Sequence, residues 1–175
     1  MSRIKDTPQG IYHDLIVHGD GRYQDRGWCS NRVVNRCRIL LAAFMRGDSR
    51  VAPGVQLMAL GRGEPSWDTT PPESPAASAQ ALVDASPVTI AAADLDLAYL
   101  DATGESLGEA SHRLQVSVTV IGGDLPIAGD GTFPLREFGL FGRFDGEDYM
   151  IDYVRHPVIH IGSGDTLVRR IRLVF

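Results

Sequence analysis

Two cysteines, Cys29 and Cys37, are all that the 175 residues contain, and they stand eight positions apart on or beside one predicted helix. At the helical rise that spacing is about 12 Å, which excludes a disulfide between them, so both read as small apolar side chains, buried or half-buried. Long apolar runs are missing too. The longest, Ile39 to Met45, falls far short of the roughly twenty residues that cross a bilayer, so no membrane insertion is expected. The opening residues, MSRIKDTPQGIYHDL, hold neither an apolar h-region nor a small-residue cleavage site, and synthesis in the cytoplasm without a signal peptide is the expectation. Basic charge is in the minority, with 17 Lys and Arg against 22 Asp and Glu and a net charge of −5, which argues against a nucleic-acid partner. Two local concentrations run against that balance: Arg32, Arg36, Arg38 and Arg46 near the first helix, and Arg169, Arg170 and Arg172 in the last strand. Both read as solvated faces or salt-bridge donors.

Catalytic and cofactor motifs are also wanting. His156 and His160 form an H-x3-H pair, but Pro157 opposes a helix there, and in a strand the two lie about 13 Å apart, too far for one metal ion. His13 and His18 have no cysteine or carboxylate cluster beside them. Gly61-Arg62-Gly63 and Gly162-Ser163-Gly164 lack the lysine of a phosphate loop and the strand-to-helix setting of a dinucleotide site, so they read as tight turns. Ser163 stands between Ile161 and Asp165, without the outer glycines of a nucleophile elbow. Asp94, Asp96, Asp101, Glu105 and Glu109 lack the spacing of a calcium loop and read as solvated edges and turns. The expectation is a protein that is not an enzyme and carries no cofactor or metal.

What is present is a soluble globular composition, 43% hydrophobic and 22% charged, of a length suited to one domain. Residues 1–27 read as an arm or short edge strand. From Ser30 to Met45, Val34, Cys37, Leu41 and Phe44, widened by Val33 and Leu40, recur at helical spacing; Ser30 or Asn31 is the expected N-cap and Gly47 the stop. A buried strand is expected from Val55 to Leu60. Residues 64–87 carry five prolines among Ser, Thr and Ala and read as an extended connection, with room for a helical turn or two from Ser78 to Asp84. Strands are expected at Val88 to Ala92, Asp94 to Asp101 and Leu114 to Val120. From Phe133 to the final Phe175, alternation through Tyr149, Ile151 and Tyr153 and again through Ile171 and Leu173, broken by Asp145-Gly146 and Gly162–Asp165, reads as a β-meander. The fold class is α+β, mainly β: an antiparallel sheet or sandwich with one N-terminal amphipathic helix and a C-terminal β-meander. It divides into 1–63 (arm, helix and strand), 64–87 (Pro-rich connection) and 88–175 (antiparallel β region), with one domain expected overall.

The segment Leu135-Arg136-Glu137-Phe138-Gly139-Leu140-Phe141, followed by Asp145-Gly146 and by Tyr153-Val154-Arg155-His156-Pro157, resembles tail-fibre, collar and baseplate-type proteins of bacteriophages and of phage tail-like contractile injection particles. The run from Val55 to Gly63 with Trp67-Asp68 looks like a second segment of the same proteins. The resemblance implies a structural subunit that forms a trimer or hexamer, contacts other tail or baseplate proteins and is incorporated into a virion or tail-like particle. The chain has no extended shaft or repeat, so an adaptor, baseplate or collar role is implied rather than host recognition. Leu135, Arg136, Glu137, Phe138, Gly139, Leu140, Phe141, Tyr153, Arg155 and His156 are the expected assembly-interface residues. Arg136 and Glu137 are expected to pair across a strand or subunit, with Gly139 admitting a neighbouring backbone. Two competing readings stand beside it. One is a β-sandwich that binds carbohydrate or another surface ligand through Trp28, Trp67 and Tyr99; the other is a small hydrolase whose carboxylates the sequence does not place.

Overall fold

Leu114, Val116, Val118 and Val120 alternate with polar residues along β8 (Arg113–Ile121), and the three valines are buried. That is the period of a strand with one wet face. The computed structural model, which describes residues 8–127 and 129–175, repeats it in β11 (Thr166–Val174), where Leu167, Arg169, Ile171 and Leu173 are all buried. Residues 1–7, the beginning of the expected arm, lie outside the described residues.

The rest of that segment is no arm. Gln9–Val17 forms β1, which pairs antiparallel with β11 from Gln9–Val174 to Val17–Thr166 and on its other side with β2 (Tyr23–Ser30). With β6 (Asp96–Leu100) and β7 (Ser106–Leu107) these strands build a six-stranded sheet in the order β2-β1-β11-β8-β6-β7. The second sheet contains β3 (Arg32–Val33), β10 (Glu147–Gly162), β9 (Thr132–Phe144), β4 (Leu57–Gly61) and β5 (Val88–Ala91), in the order β3-β10-β9-β4-β5. Ile16, Val116 and Ile171 from the first sheet and Met58, Phe138 and Ile161 from the second belong to one buried cluster. The protein is therefore mainly β, with two antiparallel sheets sharing a core, and each such side chain fully withdrawn from water contributes roughly 1.5–3 kcal/mol.

The expected C-terminal meander is corrected by this topology. β9 and β10 form a hairpin, but β10 and β11 lie in different sheets. The turn between them is held by Asp165, whose carboxylate accepts the Gly162 N–H at 2.8 Å and whose carbonyl accepts the Gly122 N–H at 2.8 Å. A side chain at Gly122 would overlap the Gly162 carbonyl. Close packing of this turn against the end of β8 delivers the chain to the opposite layer.

The single helix among the described residues, α1 (Asn35–Met45), follows three strands and is not the N-terminal element. Ser30 closes β2, and Arg32 and Val33, which pair with Tyr153 and Asp152, form β3. Val34 takes the N-cap position with no side-chain cap, so the expected capping by Ser30 or Asn31 is corrected as well. Gly47, at φ 74°, takes the left-handed conformation after the last turn, and its N–H reaches the Phe44 carbonyl. Val34, Cys37 and Leu40 face the core, whereas Leu41 and Phe44 are exposed. Cys29 is likewise exposed, on β2, contrary to the expectation of burial.

Residues 64–87 form a single 3-10 turn, Pro65–Asp68, and otherwise no helix or strand, so the helical turns expected from Ser78 to Asp84 are not formed. The segment is pinned at several points. The Ala77 carbonyl accepts the Asn35 N–H, and Ala79 and Leu82 pack on the outer face of the second sheet beside Phe141 and Tyr153.

Candidate functional site

Leu135, Arg136, Glu137, Phe138, Gly139, Leu140 and Phe141 all lie on β9, an interior strand flanked by β4 and β10. Leu135, Phe138 and Leu140 join the core between the sheets, while Phe141 lies on the opposite face, beneath Leu82 of the connection. Covered on both faces, the strand reads as a nearly unbroken buried run.

Arg136 and Glu137 do not pair with each other. The Arg136 guanidinium donates through Nε and Nη2 to both carboxylate oxygens of Asp68, each at 2.7 Å, and through Nη1 to the Arg62 carbonyl at 2.9 Å. This hydrogen bonding, followed by the charge of the guanidinium, holds Asp68 below the usual carboxylate range. Glu137, fully buried, accepts the backbone N–H groups of Val83 at 3.0 Å and Asp84 at 2.7 Å and the Tyr153 hydroxyl at 2.5 Å. Burial, then the bond to Glu137, raises the Tyr153 hydroxyl well above its ordinary range. Arg155 donates to the Tyr153 oxygen at 3.1 Å and lies over the Trp67 ring at 5.3 Å. Gly139 does admit a neighbouring backbone, since a Cβ there would stand 3.0 Å from the Asp152 carbonyl oxygen.

His156 points the other way, into the core. Its Nδ1 donates to the Pro157 carbonyl at 2.7 Å, which leaves Nε2 to accept from Arg169 Nη2 at 3.4 Å. Burial, and then the nearby Arg169 charge, pushes the imidazole down to about 4, so it is neutral at pH 7. Arg169 itself is wholly buried and donates through Nε and Nη2 to Asp14, both at 2.7 Å, with its guanidinium 3.8 Å above the Phe138 ring. Burial alone would raise Asp14, but the charge and hydrogen bonds of Arg169 outweigh it and hold the carboxyl low. This ion pair ties β1 to β11 and presses on β9. Of the two readings of the arginines in the last strand, Arg169 takes that of a salt-bridge donor, buried within the chain and not on a solvated face. The signal was the alternation, in which Arg169 shares the inward parity of Leu167, Ile171 and Leu173.

The expected interface residues are thus engaged within the chain itself, with only Arg155 half-exposed. Other sequence candidates are dispersed. His160 turns outward to the Thr132 hydroxyl, at 3.1 Å, away from His156. Trp28 on β2 and Tyr99 on β6 are separated by three strands, and Trp67 stands beside Arg155 of the other sheet, so the three aromatics form no common platform. Asp101 closes a local turn, its Oδ1 accepting from the Thr103 N–H and hydroxyl and from the Glu105 N–H. Among the described residues no group of three or more His, Cys, Asp or Glu could hold a metal ion, and no helix is long and apolar enough to cross a membrane.

A site that sequence reasoning missed opens at the ends of β1 and β11. A cleft of about 570 Å³ lies between β3, the start of β1, the end of β11 and the loop at 101–104, and Arg32, Arg38, Arg113 and Arg172 line it. Arg172 is fixed there by neutral groups. Its Nε donates to the Gln115 side-chain oxygen at 2.9 Å, Nη2 to the Gly104 carbonyl at 3.1 Å, and its guanidinium stacks 4.4 Å from the centre of the Trp28 ring. Gly104, at φ 92°, leaves the space that this guanidinium occupies. A smaller apolar hollow of about 180 Å³, with Leu41, Phe44, Leu97 and Phe175 in its lining, adjoins the cleft through Leu173. Arg32 and Arg38 are near neighbours in the sequence, but only the fold brings them together with Arg113 and Arg172. Comparisons with protein-family models, curated proteins and solved structures find no match to this chain.

Proposed function

We propose that the chain is a structural subunit of a phage tail or phage tail-like contractile particle, an adaptor, baseplate or collar component that works by symmetric assembly with its neighbours. The observation that carries this reading is the surface left for a neighbour to cover. Among the described residues β2 ends the six-stranded sheet, with all eight of its own residues exposed and its outer edge unpaired. Long open edges of this kind are templates for another chain. Toward the opposite end of the strand order, Leu41 and Phe44 of α1 are exposed beside Leu97 and Phe175, and Ile39 and Met45 are exposed elsewhere on the same helix. In this reading the L-R-E-F-G-L-F segment rigidifies the subunit, and the contacts between subunits fall on β2 and the α1 surface.

The test is size-exclusion chromatography with light scattering on the purified chain, joined to electron microscopy of the native cell extract with an antibody against it. A trimer, hexamer or ring that also labels tail-like particles is the expected result. A monomer found in no particle overturns the proposal.

A further inference from the structure

We propose that the four-arginine cleft is a docking site for an extended acidic peptide segment of a neighbouring protein chain, with one of its carboxylates received by Arg172. The choice of a neighbouring subunit as the source rests on the structural-subunit reading; the chemistry of the cleft does not.

Three observations carry the inference. The first is charge. The two buried arginines, Arg136 and Arg169, each hold a carboxylate through two hydrogen bonds. Arg172 is half-buried and fixed by two hydrogen bonds and the Trp28 ring, yet among the described residues its acceptors are an amide oxygen and a peptide carbonyl. A pre-organised guanidinium without a carboxylate is a receptor for one, because its planar fork matches the carboxylate geometry. Arg32, Arg38 and Arg113 surround the same space, against one lining carboxylate, Asp101, whose Oδ1 is occupied by its own turn. The cleft is therefore cationic in a chain that is acidic overall.

The second observation is the backbone. β3 is the outer strand of the second sheet among the described residues, so the edge of Arg32–Val33 away from β10 pairs with no strand there, and both residues line the cleft. An extended segment can add to such an edge through main-chain hydrogen bonds while its side chains enter pockets. The third is the neighbouring apolar hollow around Leu41, Phe44 and Leu97, which suits apolar residues interspersed with the acidic ones. A volume near 570 Å³ is of the size that encloses a ligand of several residues' bulk. The low overall basicity of the chain favours a peptide over a nucleic acid.

The experiment is fluorescence anisotropy with a dye-labelled hexapeptide of alternating Glu and Val, beside a Lys–Val peptide of the same length, citrate and a thymidine octamer as competitors. The acidic peptide is expected to bind saturably and the basic one not at all. Arg172→Gln is expected to weaken binding at least tenfold. Gln115→Glu provides the control for folding: it gives Arg172 an internal carboxylate, so it is expected to keep or raise the melting temperature while also weakening the peptide at least tenfold. Equal binding of both peptides, or peptide binding unchanged by Gln115→Glu, overturns the inference. So does displacement by citrate at matched carboxylate concentration, or tighter binding of the octamer. The two proposals fail separately. Assembly into particles by a chain whose peptide affinity ignores Gln115→Glu defeats the cleft alone. A monomer absent from particles that still loses the peptide on Gln115→Glu defeats the subunit reading and supports the cleft.

Discussion

At the scale of single residues, Asp152 and His156 sit two turns of the pleat apart on β10 and respond to acid in opposite senses. Burial pushes the Asp152 carboxyl up to about 7, against the lowering effect of the Leu140 N–H and the Asn31 side chain. Between the ordinary value of 3.8 and about 7, the folded chain keeps a proton that the unfolded chain has released. Its contribution to stability therefore falls as pH rises through that window. His156, held down to about 4, does the reverse: the unfolded imidazole binds a proton below about 6.5 that the folded one refuses, so stability is lost as pH falls from 6.5 toward 4. Asp152→Asn removes the first slope and leaves the second. Asn31, whose side-chain oxygen is buried without a partner, can turn its amide to accept from the new one. The variant is expected to be more stable than the parent at pH 8, by on the order of 1–3 kcal/mol, and no more stable at pH 4. Urea unfolding at the two pH values checks this, and equal differences at both would refute it.

The Asp14–Arg169 pair makes a second prediction at this scale. Asp14→Asn leaves a buried guanidinium without its counter-charge and is expected to cost about 3–5 kcal/mol, whereas Asp14→Leu with Arg169→Met is expected to cost much less or to stabilise. The comparison of the three unfolding curves decides it. An Asp14→Asn loss under about 1 kcal/mol would mean that water reaches the pair.

Among the elements, the connection at 64–87 is the one that a buried acidic side chain fastens from beneath, beside its ties to Asn35 and Arg136. Glu137 takes two of its N–H groups and Tyr153 from beneath it, and Gly61 leaves the room that the Glu137 side chain needs. Glu137→Ala strands those donors and is expected to cost about 2–4 kcal/mol and to make 64–87 the first site of limited proteolysis. Cleavage that begins elsewhere, at the parent's rate, would contradict it. The elements also separate what the sequence made legible from what it hid. β8 was legible because one wet face imposes alternation, and the turn at Asp145-Gly146 because that pair tolerates φ near 53° and 81°. The partner of β11 was not legible: alternation states which face of a strand is buried, never which strand lies beside it. The reading of Arg169 as a salt-bridge donor left out its burial, which its parity with Leu167 and Ile171 signalled. α1 was found by its periodicity, but its start was not, because pairing of Arg32 and Val33 with β10 overrides the helical pattern that continues into them. The two basic concentrations of the sequence hold three of the cleft's arginines, Arg32, Arg38 and Arg172, but nothing local showed that β3, α1 and β11 meet there with Arg113 of β8.

For the whole molecule, the subunit reading places contacts on surfaces that contribute little to its own stability. Phe44 is 65% exposed. Phe44→Glu is therefore expected to change the unfolding free energy by no more than about 0.5 kcal/mol, while shifting an oligomer toward monomer in light scattering. An oligomer that survives unchanged would remove α1 from the interface and leave β2 to carry it.

The pairing of β1 with β11 has a consequence for the order of events when the chain folds. Residues 9–17 find their central partner only in residues 166–174, so the middle of the six-stranded sheet cannot close until synthesis has passed residue 174. The β9–β10 hairpin, by contrast, is joined by a two-residue turn and can form at once. Until β11 arrives, the inner faces of β1 and β8 have each other's company neither in sequence nor in space, and the nascent protein is held open at its centre rather than at its rim.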